Sequence, residues 1–237
     1  MGEDRVAAVL PAAGSGSRLG GERKQYRVLG DQPLFIQTLR VFDAHPGIDF
    51  LVLAVQAEDL DPVRAALDAV TWRCPVVATE GGASRQASVA GALAALPETV
   101  GWVLVHDAVR PFVTADLIDA AIGAMRRHGA AALAVPVTDT VRRVAGGRFG
   151  EQVPRAGLYG MQTPQGARRS WLVEAHAAAV REGFEATDDV ALLQRAGHPV
   201  AFVEGSSLNF KVTSAADWEL ARAWWPHRAS SSIQTKG

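Results

Sequence analysis

The segment Val6-Ala-Ala-Val-Leu-Pro-Ala-Ala-Gly-Ser-Gly-Ser-Arg18, followed shortly by Lys24-Gln25-Tyr26, decides how this chain reads. Val6 to Leu10 is an unbroken apolar run, the pattern of a parallel strand covered on both faces. Pro11-Ala12-Ala13 leads out of it into a turn. There Gly14 and Gly16, with Ser15 between them, let the backbone approach a ligand and aim amide N–H groups at it. Arg18 and Lys24 then place positive charge where a polyphosphate would lie. The dinucleotide-binding fingerprint needs a third glycine where this chain has Leu19. The Walker loop needs Gly-Lys-Ser/Thr where this chain has Gly21-Glu22. The segment therefore reads as a nucleoside triphosphate loop of another kind.

Working outward, short apolar runs alternate with amphipathic stretches. The runs are Val6–Leu10, Phe50–Val55, Val76–Thr79, Trp102–His106, Ala131–Val137 and Val200–Val203. Helical patterns fall at Leu34–Ala44, Asp61–Val70, Ser84–Leu96, Ala115–His128, Ser170–Arg181, Val190–Ala196 and Ala215–Trp225. This alternation predicts an α/β fold with a mostly parallel sheet and helices on both faces. Ser84, Thr114 and Ser214 are predicted N-caps, the last with Asp217 in a capping box, and Gly129 closes a helix. One segment breaks the rhythm. Val141–Val144 and Phe149–Val153 flank Gly146-Gly147, a hairpin signal within an arm of about 138–159 that would leave the core and needs something to pack on. A partner subunit is the preferred answer and a surface flap the alternative. Residues 1–228 read as one domain, and the polar tail 229–237 as disordered.

Bulk properties narrow the function. The 237 residues are 48% hydrophobic with a formal net charge of -1, which gives no electrostatic case for nucleic acid or an anionic membrane. Aromatic residues are 7% of the chain and do not interleave with a basic stripe. No apolar run is long enough to span a membrane and the N-terminus does not read as a signal peptide, so a cytoplasmic protein is expected. The single cysteine, Cys74, lies between Trp72-Arg73 and Pro75 and reads as a packing residue.

Further polar groups cluster where strands end, the usual ligand side of an open α/β sheet. After Thr79 comes Glu80-Gly-Gly82-Ala-Ser84-Arg85-Gln-Ala-Ser88, a tight turn into a helix N-terminus suited to an anion or a base edge. After Val105 comes His106-Asp107-Ala-Val-Arg110. Asp107 needs a partner if buried, and a Mg²⁺ ion carried by phosphates would be a natural one. Arg110 could take a second phosphate, while His106 reads as a structural histidine. Lys211 lies between the last strand and helix. Thr140, Arg155 and a Thr163-Pro-Gln165 turn lie on the arm and its base. Thr187-Asp188-Asp189 is read as helix capping rather than a metal site. No serine triad or zinc-spaced histidine pair is present in the sequence.

In order along the chain, Pro11-Ala-Ala-Gly-Ser-Gly-Ser-Arg18 with Lys24-Gln25, Gly81-Gly82-x-x-Arg85-x-x-Ser88, His106-Asp107-Ala-x-Arg110-Pro111, Asp139-Thr140, Thr163-Pro164-Gln165, Thr187-Asp188 and Lys211-Val-Thr213 resemble the 2-C-methyl-D-erythritol 4-phosphate cytidylyltransferase family. The resemblance implies a Rossmann-like nucleotidyltransferase fold and a homodimer joined through the arm. It implies that CTP is held by Ala12 to Gly16, Arg18 and Lys24, with Gly82, Arg85 and Ser88 near cytosine and ribose. Asp107 and Lys211 would serve Mg²⁺ and the substrate phosphate. Arg110, Thr140, Arg155 and Thr163 would reach the sugar-alcohol phosphate, some from the partner chain. Arg18, Lys24 and Lys211 are the catalytic candidates. Three departures stand out: Arg23 occupies the position before the loop lysine, where the family usually has proline; the spacing from Arg18 to Lys24 is one residue short; and Val109 stands where alanine is commoner. Ribitol 5-phosphate cytidylyltransferases share much of the pattern and are the alternative. A catalytically inactive nucleotide-binding regulator is the weaker one.

Overall fold

A computed structural model describes residues 4–14 and 23–232, the last four by backbone alone. Ser15, Gly16 and Arg18, and the tail beyond Ser232, lie outside the described residues.

The opening apolar run is strand β1 (Arg5–Pro11), an interior strand of a seven-stranded sheet. Its parallel neighbours are β4 (Phe50–Val55) and, on the other side, β6 (Val100–Val105), with β5 (Val76–Glu80) beyond β4 at one edge. Between β1 and β4 the chain makes the small antiparallel pair β2 (Val28–Leu29) and β3 (Gln32–Pro33). Past β6 come β10 (Tyr159–Arg168), β7 (Ala130–Pro136) and β11 (Ala201–Glu204). The helices follow the predicted pattern closely: α1 (Leu34–Asp43), α2 (Leu60–Asp68), α3 (Arg85–Ala94), α4 (Ala115–His128), α5 (Arg169–Glu182), α6 (Asp189–Arg195) and α7 (Ala215–Trp224). Ser84, Thr114 and Ser214 cap α3, α4 and α7, and Asp217 completes the capping box.

Strand β1 shows why this sequence needs two layers of helix. Val6, Ala8 and Leu10 pack against α1, α2 and α4, whereas Ala7 and Val9 pack against α3, α5 and α6. Both side-chain sets are wholly buried, so neither face can be polar. A third apolar cluster lies to the side, where Leu29, Leu34, Val109, Phe112, Val212 and Trp225 join segments far apart in sequence.

Strand β10 has no counterpart in the sequence reading. It runs antiparallel between β6 and β7, and the expected Thr163-Pro-Gln165 turn is its middle. Its residues Tyr-Gly-Met-Gln-Thr-Pro-Gln-Gly-Ala-Arg carry neither alternation nor an apolar run. The proline, which cannot donate to a ladder, sits where pairing with β7 shifts register between Met161 and Gln165. The arm matches its expectation: β8 (Val141–Ala145) and β9 (Arg148–Val153) form a separate two-stranded sheet, turning at Gly146 and Gly147 with φ of 56° and 73°. Trp225–Ser232 forms a final 3-10 helix, so its backbone is regular into the segment expected to be tail.

Candidate active site

The carboxyl ends of β1, β4, β5 and β6 surround a cavity of about 370 Å³, whose lining includes Ala12, Ala13, Gly14, Lys24, Gly82, Arg85, Ser88, Asp107 and Lys211. Three glycine- or alanine-rich turns make its walls, and long side chains from more distant segments fill its rim.

The first wall is the loop after β1. Two glutamines fix it: Gln25 Nε2 donates to the carbonyls of Ala12 (2.8 Å) and Gly14 (3.1 Å), and Gln56 Nε2 donates to that of Ala13 (2.8 Å). Tying down three successive carbonyls sets the peptide planes of the loop before any ligand arrives. Gln25 and Lys24 share one turn of 3-10 helix, Lys24–Tyr26. Arg23 pairs with Glu58 and Asp59, and Tyr26 Oη donates to Asp59 at 2.8 Å. The segment bearing Lys24 is thus tied to the turn that follows β4. Gln56 was not singled out in the sequence; its position just after a strand's carboxyl end was the available signal.

The second wall is the turn before α3. A Cβ on Gly81 would come within 2.6 Å of Ala13 Cβ, and one on Gly82 within 2.4 Å of Ala87 Cβ, so only glycine lets this turn close against the first. Ser88 Oγ accepts from Gly82 N–H (3.1 Å) and donates to the Ser84 carbonyl (2.8 Å). Ser88 is a brace for the turn as well as a wall residue.

Asp107 is the centre of the third. It is 7% exposed, with Lys211 Nζ at 2.9 Å, Arg85 Nε at 3.3 Å and Arg110 Nε at 3.4 Å. Burial would push its carboxyl pKa up; Lys211, Arg85 and Arg110 override that and hold it well below the usual carboxylate range. Arg110 Nη1 also donates to the Asn209 carbonyl at 2.7 Å, so this arginine is buried behind Asp107 rather than on the cavity wall.

Behind Asp107 runs a chain of hydrogen bonds. The Asp107 N–H donates to Thr163 Oγ1 (3.1 Å), Thr163 lies 3.0 Å from His106 Nδ1, and His106 Nε2 lies 3.0 Å from the Arg110 carbonyl. A carbonyl can only accept, so the proton is assigned to Nε2, and Nδ1 accepts from the threonine hydroxyl. Thr163, expected to reach a substrate, instead lies beneath the site, 4% exposed with its hydroxyl engaged on both sides. Its role here is support. His106 is wholly buried, as its structural reading expected, and burial lowers its pKa to about 4.

Thr140 and Arg155 stand exposed on and beside the arm, with Arg155 donating to the Thr138 carbonyl, and neither lines this chain's own cavity. Asp188 caps α6 by accepting from Ala191 N–H at 3.0 Å, as read from the sequence. The buried Cys74 thiol is pushed up to about 11, chiefly by burial, which suits packing and not nucleophilic chemistry.

Lys24, Arg85 and Lys211 line the cavity against one lining carboxylate, Asp107, so the cavity favours anions. Glycine turns, a helix N-terminus and these cations beyond the carboxyl ends of parallel strands make a site for a phosphate-bearing ligand of the nucleotide class.

Comparison with known proteins gives the finer assignment. The family model for 2-C-methyl-D-erythritol 4-phosphate cytidylyltransferase (IspD) matches residues 6–226. A protein of that name from Salinibacter ruber is 50% identical over 221 residues, 93% of each chain. A bifunctional IspD/IspF enzyme from Rhodospirillum rubrum is 43% identical over 92% of this chain, which spans 56% of that longer protein. Among solved structures, the 2-C-methyl-D-erythritol 4-phosphate cytidylyltransferase of Thermus thermophilus superimposes with a TM-score of 0.78 at 37% identity, covering 92% of this chain and 98% of that one. The chain belongs to the 2-C-methyl-D-erythritol 4-phosphate cytidylyltransferase family.

Proposed function

We propose that the chain transfers the cytidylyl group of CTP to 2-C-methyl-D-erythritol 4-phosphate, forming the CDP-alcohol and releasing pyrophosphate. Family membership supports the reaction. The observation that carries the site assignment is the meeting of Lys211, Arg85 and Arg110 on Asp107 at the wall of a cavity that Lys24 also lines.

An oxygen of the acceptor's phosphate attacks the α-phosphorus of CTP, and the bond to the β-phosphate's bridging oxygen breaks. The attacking phosphate has a second pKa near 6 and is already largely dianionic at neutral pH, so no general base is needed. This agrees with His106 being buried and spent on structure. The barrier is the approach of two polyanions. In this reading Ala12 to Gly16, Arg18 and Lys24 hold the triphosphate and steady the departing pyrophosphate. Gly82, Arg85 and Ser88 form the nucleoside side, and Lys211 with Asp107 faces the reacting phosphates.

Among the described residues no three His, Cys, Asp or Glu side chains gather into a metal site. Asp107, the one carboxylate among the described residues that line the cavity, would be the protein group to hold a Mg²⁺ ion brought in with the nucleotide's phosphates. Such an ion would supply charge neutralisation when bound.

Thr140 and Arg155 stand away from their own cavity, and the arm exposes Val144 (64%) and Phe149 (81%). In our reading the arm packs on a second copy in a homodimer and delivers Thr140 and Arg155 to the partner's acceptor site. Among the described residues no helix is long and apolar enough to cross a membrane. Use of CTP and a polar, phosphorylated acceptor supports our reading of a cytoplasmic enzyme.

The test is pyrophosphate release, crossing CTP, UTP and ATP against methylerythritol phosphate and ribitol 5-phosphate, with Mg²⁺ and with chelator. CTP with methylerythritol phosphate should give the highest kcat/KM. Preference for ribitol phosphate would overturn the acceptor assignment, and CTP binding without turnover would favour a regulator. Light scattering should give twice the chain mass.

A further inference from the structure

We infer that Asp189 is the positioning residue that sets the guanidinium of Arg85 in the nucleotide cavity, acting from behind the site with His176 and Gln165. The inference rests on the reading of that cavity as the CTP site.

Asp189 follows the cap of α6 and is wholly buried. A carboxylate there has lost its water and must be satisfied by protein groups. Each of its oxygens is engaged. Oδ2 accepts from Arg85 Nη1 at 2.7 Å, and Oδ1 lies 3.2 Å from His176 Nε2. Its backbone is held too, since Asp189 N–H donates to Gln165 Oε1 at 2.9 Å. Gln165 lies on β10, an interior antiparallel strand, so the carboxylate is anchored to the sheet and not only to its own short helix.

Arg85 lies between two carboxylates. Its Nε meets Asp107 at 3.3 Å on the cavity side, and its Nη1 meets Asp189 at 2.7 Å on the buried side. The shorter, charge-assisted bond is therefore the rear one, and two contacts at different nitrogens fix both the place and the plane of the guanidinium. The remaining nitrogen, Nη2, is buried and has no hydrogen-bond partner among the described residues. The guanidinium that Asp189 steadies belongs to a side chain that is 24% exposed and lines the cavity, so its placement is one that a ligand meets. Asp189 thus holds a ligand-facing arginine ready, without touching the ligand. Neutralising Asp189 removes the rear counter-charge and leaves at most a weaker, uncharged acceptor there, with Asp107 as the one ion-pair partner of Arg85 among the described residues.

The experiment uses the full chain, with Asp189→Asn, His176→Gln and Arg85→Gln, and each of the first two combined with the third. Asp189→Asn should raise the KM for CTP about tenfold, the scale of one charge-assisted hydrogen bond, and leave the KM for the acceptor within about twofold. Calorimetric titration with CTP should show the same roughly tenfold loss of affinity. His176→Gln should give a smaller change in the same direction. In the Arg85→Gln background either substitution should add less than about twofold, because the residue through which it acts is gone.

A purely structural Asp189 would lower the melting temperature and leave the CTP constants intact, or cost the same with and without Arg85. Either result overturns the assignment, as does failure of both Asp189→Asn and His176→Gln to fold. Absence of CTP turnover and binding in the unsubstituted protein would be a different failure, that of the cytidylyltransferase reading itself.

Discussion

Acidification should weaken this protein through one buried histidine, before the buried carboxylates Asp107 and Asp189 titrate. His106 is wholly buried, donates from Nε2 to the Arg110 carbonyl and accepts at Nδ1 from Thr163. A second ring proton would face the threonine hydroxyl in place of that acceptor, with no water to help. Burial accordingly lowers the pKa from 6.5 to about 4. Below about pH 6.5 the unfolded chain takes up a proton that the folded chain refuses, so stability falls as pH drops from 6.5 towards 4 and this contribution then levels off. That lowering corresponds to about 3 kcal/mol. For a chain of this size that is on the order of 6–12 °C in melting temperature. Asp107 and Asp189 have lowered pKa values in the folded state. The stability they contribute is present above the unfolded value of 3.8 and is lost only below it, outside this window. Urea unfolding of the protein and of His106→Gln at pH 7, 6, 5 and 4.5 isolates the effect as the difference in slope. Parallel slopes for the two proteins would refute the reasoning.

Three other substitutions probe the site and its support. Lys24→Ala should lower kcat/KM for CTP by roughly 10²–10³-fold, the scale of one lost electrostatic donor, with an unchanged circular dichroism spectrum; near-normal turnover would remove Lys24 from the triphosphate site. Thr163→Val leaves both the Asp107 N–H and His106 Nδ1 without their partner. It should cost about 2–4 kcal/mol in denaturant unfolding, and it should raise the KM for both substrates together because Asp107 shifts. Gly30 has φ of +69°, and a Cβ there would lie 2.1 Å from Trp225 Nε1. Gly30→Ala should therefore destabilise by about 3 kcal/mol, strain and overpacking combined, as read from the melting midpoint.

What could be read from the sequence followed from local periodicity. The doubly covered sheet is written into Val6–Leu10 and Phe50–Val55, where no residue is polar, and the helices into capped amphipathic stretches. The cavity residues are legible because each apolar run is followed at once by a polar or glycine-bearing turn, and the carboxyl ends of parallel strands meet at one edge of the sheet. Strand β10 was hidden because Gln162, Thr163 and Gln165 are buried polar residues in mid-sheet, held by side-chain bonds to Asn209, Asp188 and His106 that no local pattern announces. Asp189 was hidden for the same reason. Its neighbour Asp188 does the capping that composition suggests, while Asp189 spends its charge on a residue 104 positions away.

These long-range partners explain how a strongly cationic cavity can be stable before any anion enters it. Arg85, Arg110 and Lys211 come from three distant segments, and packed together without a counter-charge they would repel one another. Asp107 contacts all three, and Asp189 takes the far end of Arg85. The apolar cluster of Leu29, Val109, Val212 and Trp225 does the corresponding mechanical work. It joins the strand just past Lys24 to the loops just past Asp107 and Lys211, and the Val212 N–H donates to the Val109 carbonyl at 2.9 Å. The carboxylates reduce the repulsion among the cations without cancelling their excess, and the excess is what a triphosphate and a phosphate monoester, brought side by side, require. On this account Asp107 is first of all the counter-ion that keeps the cations convergent. Its neutral isostere should therefore scatter them and lose affinity for nucleotide even where no metal is present.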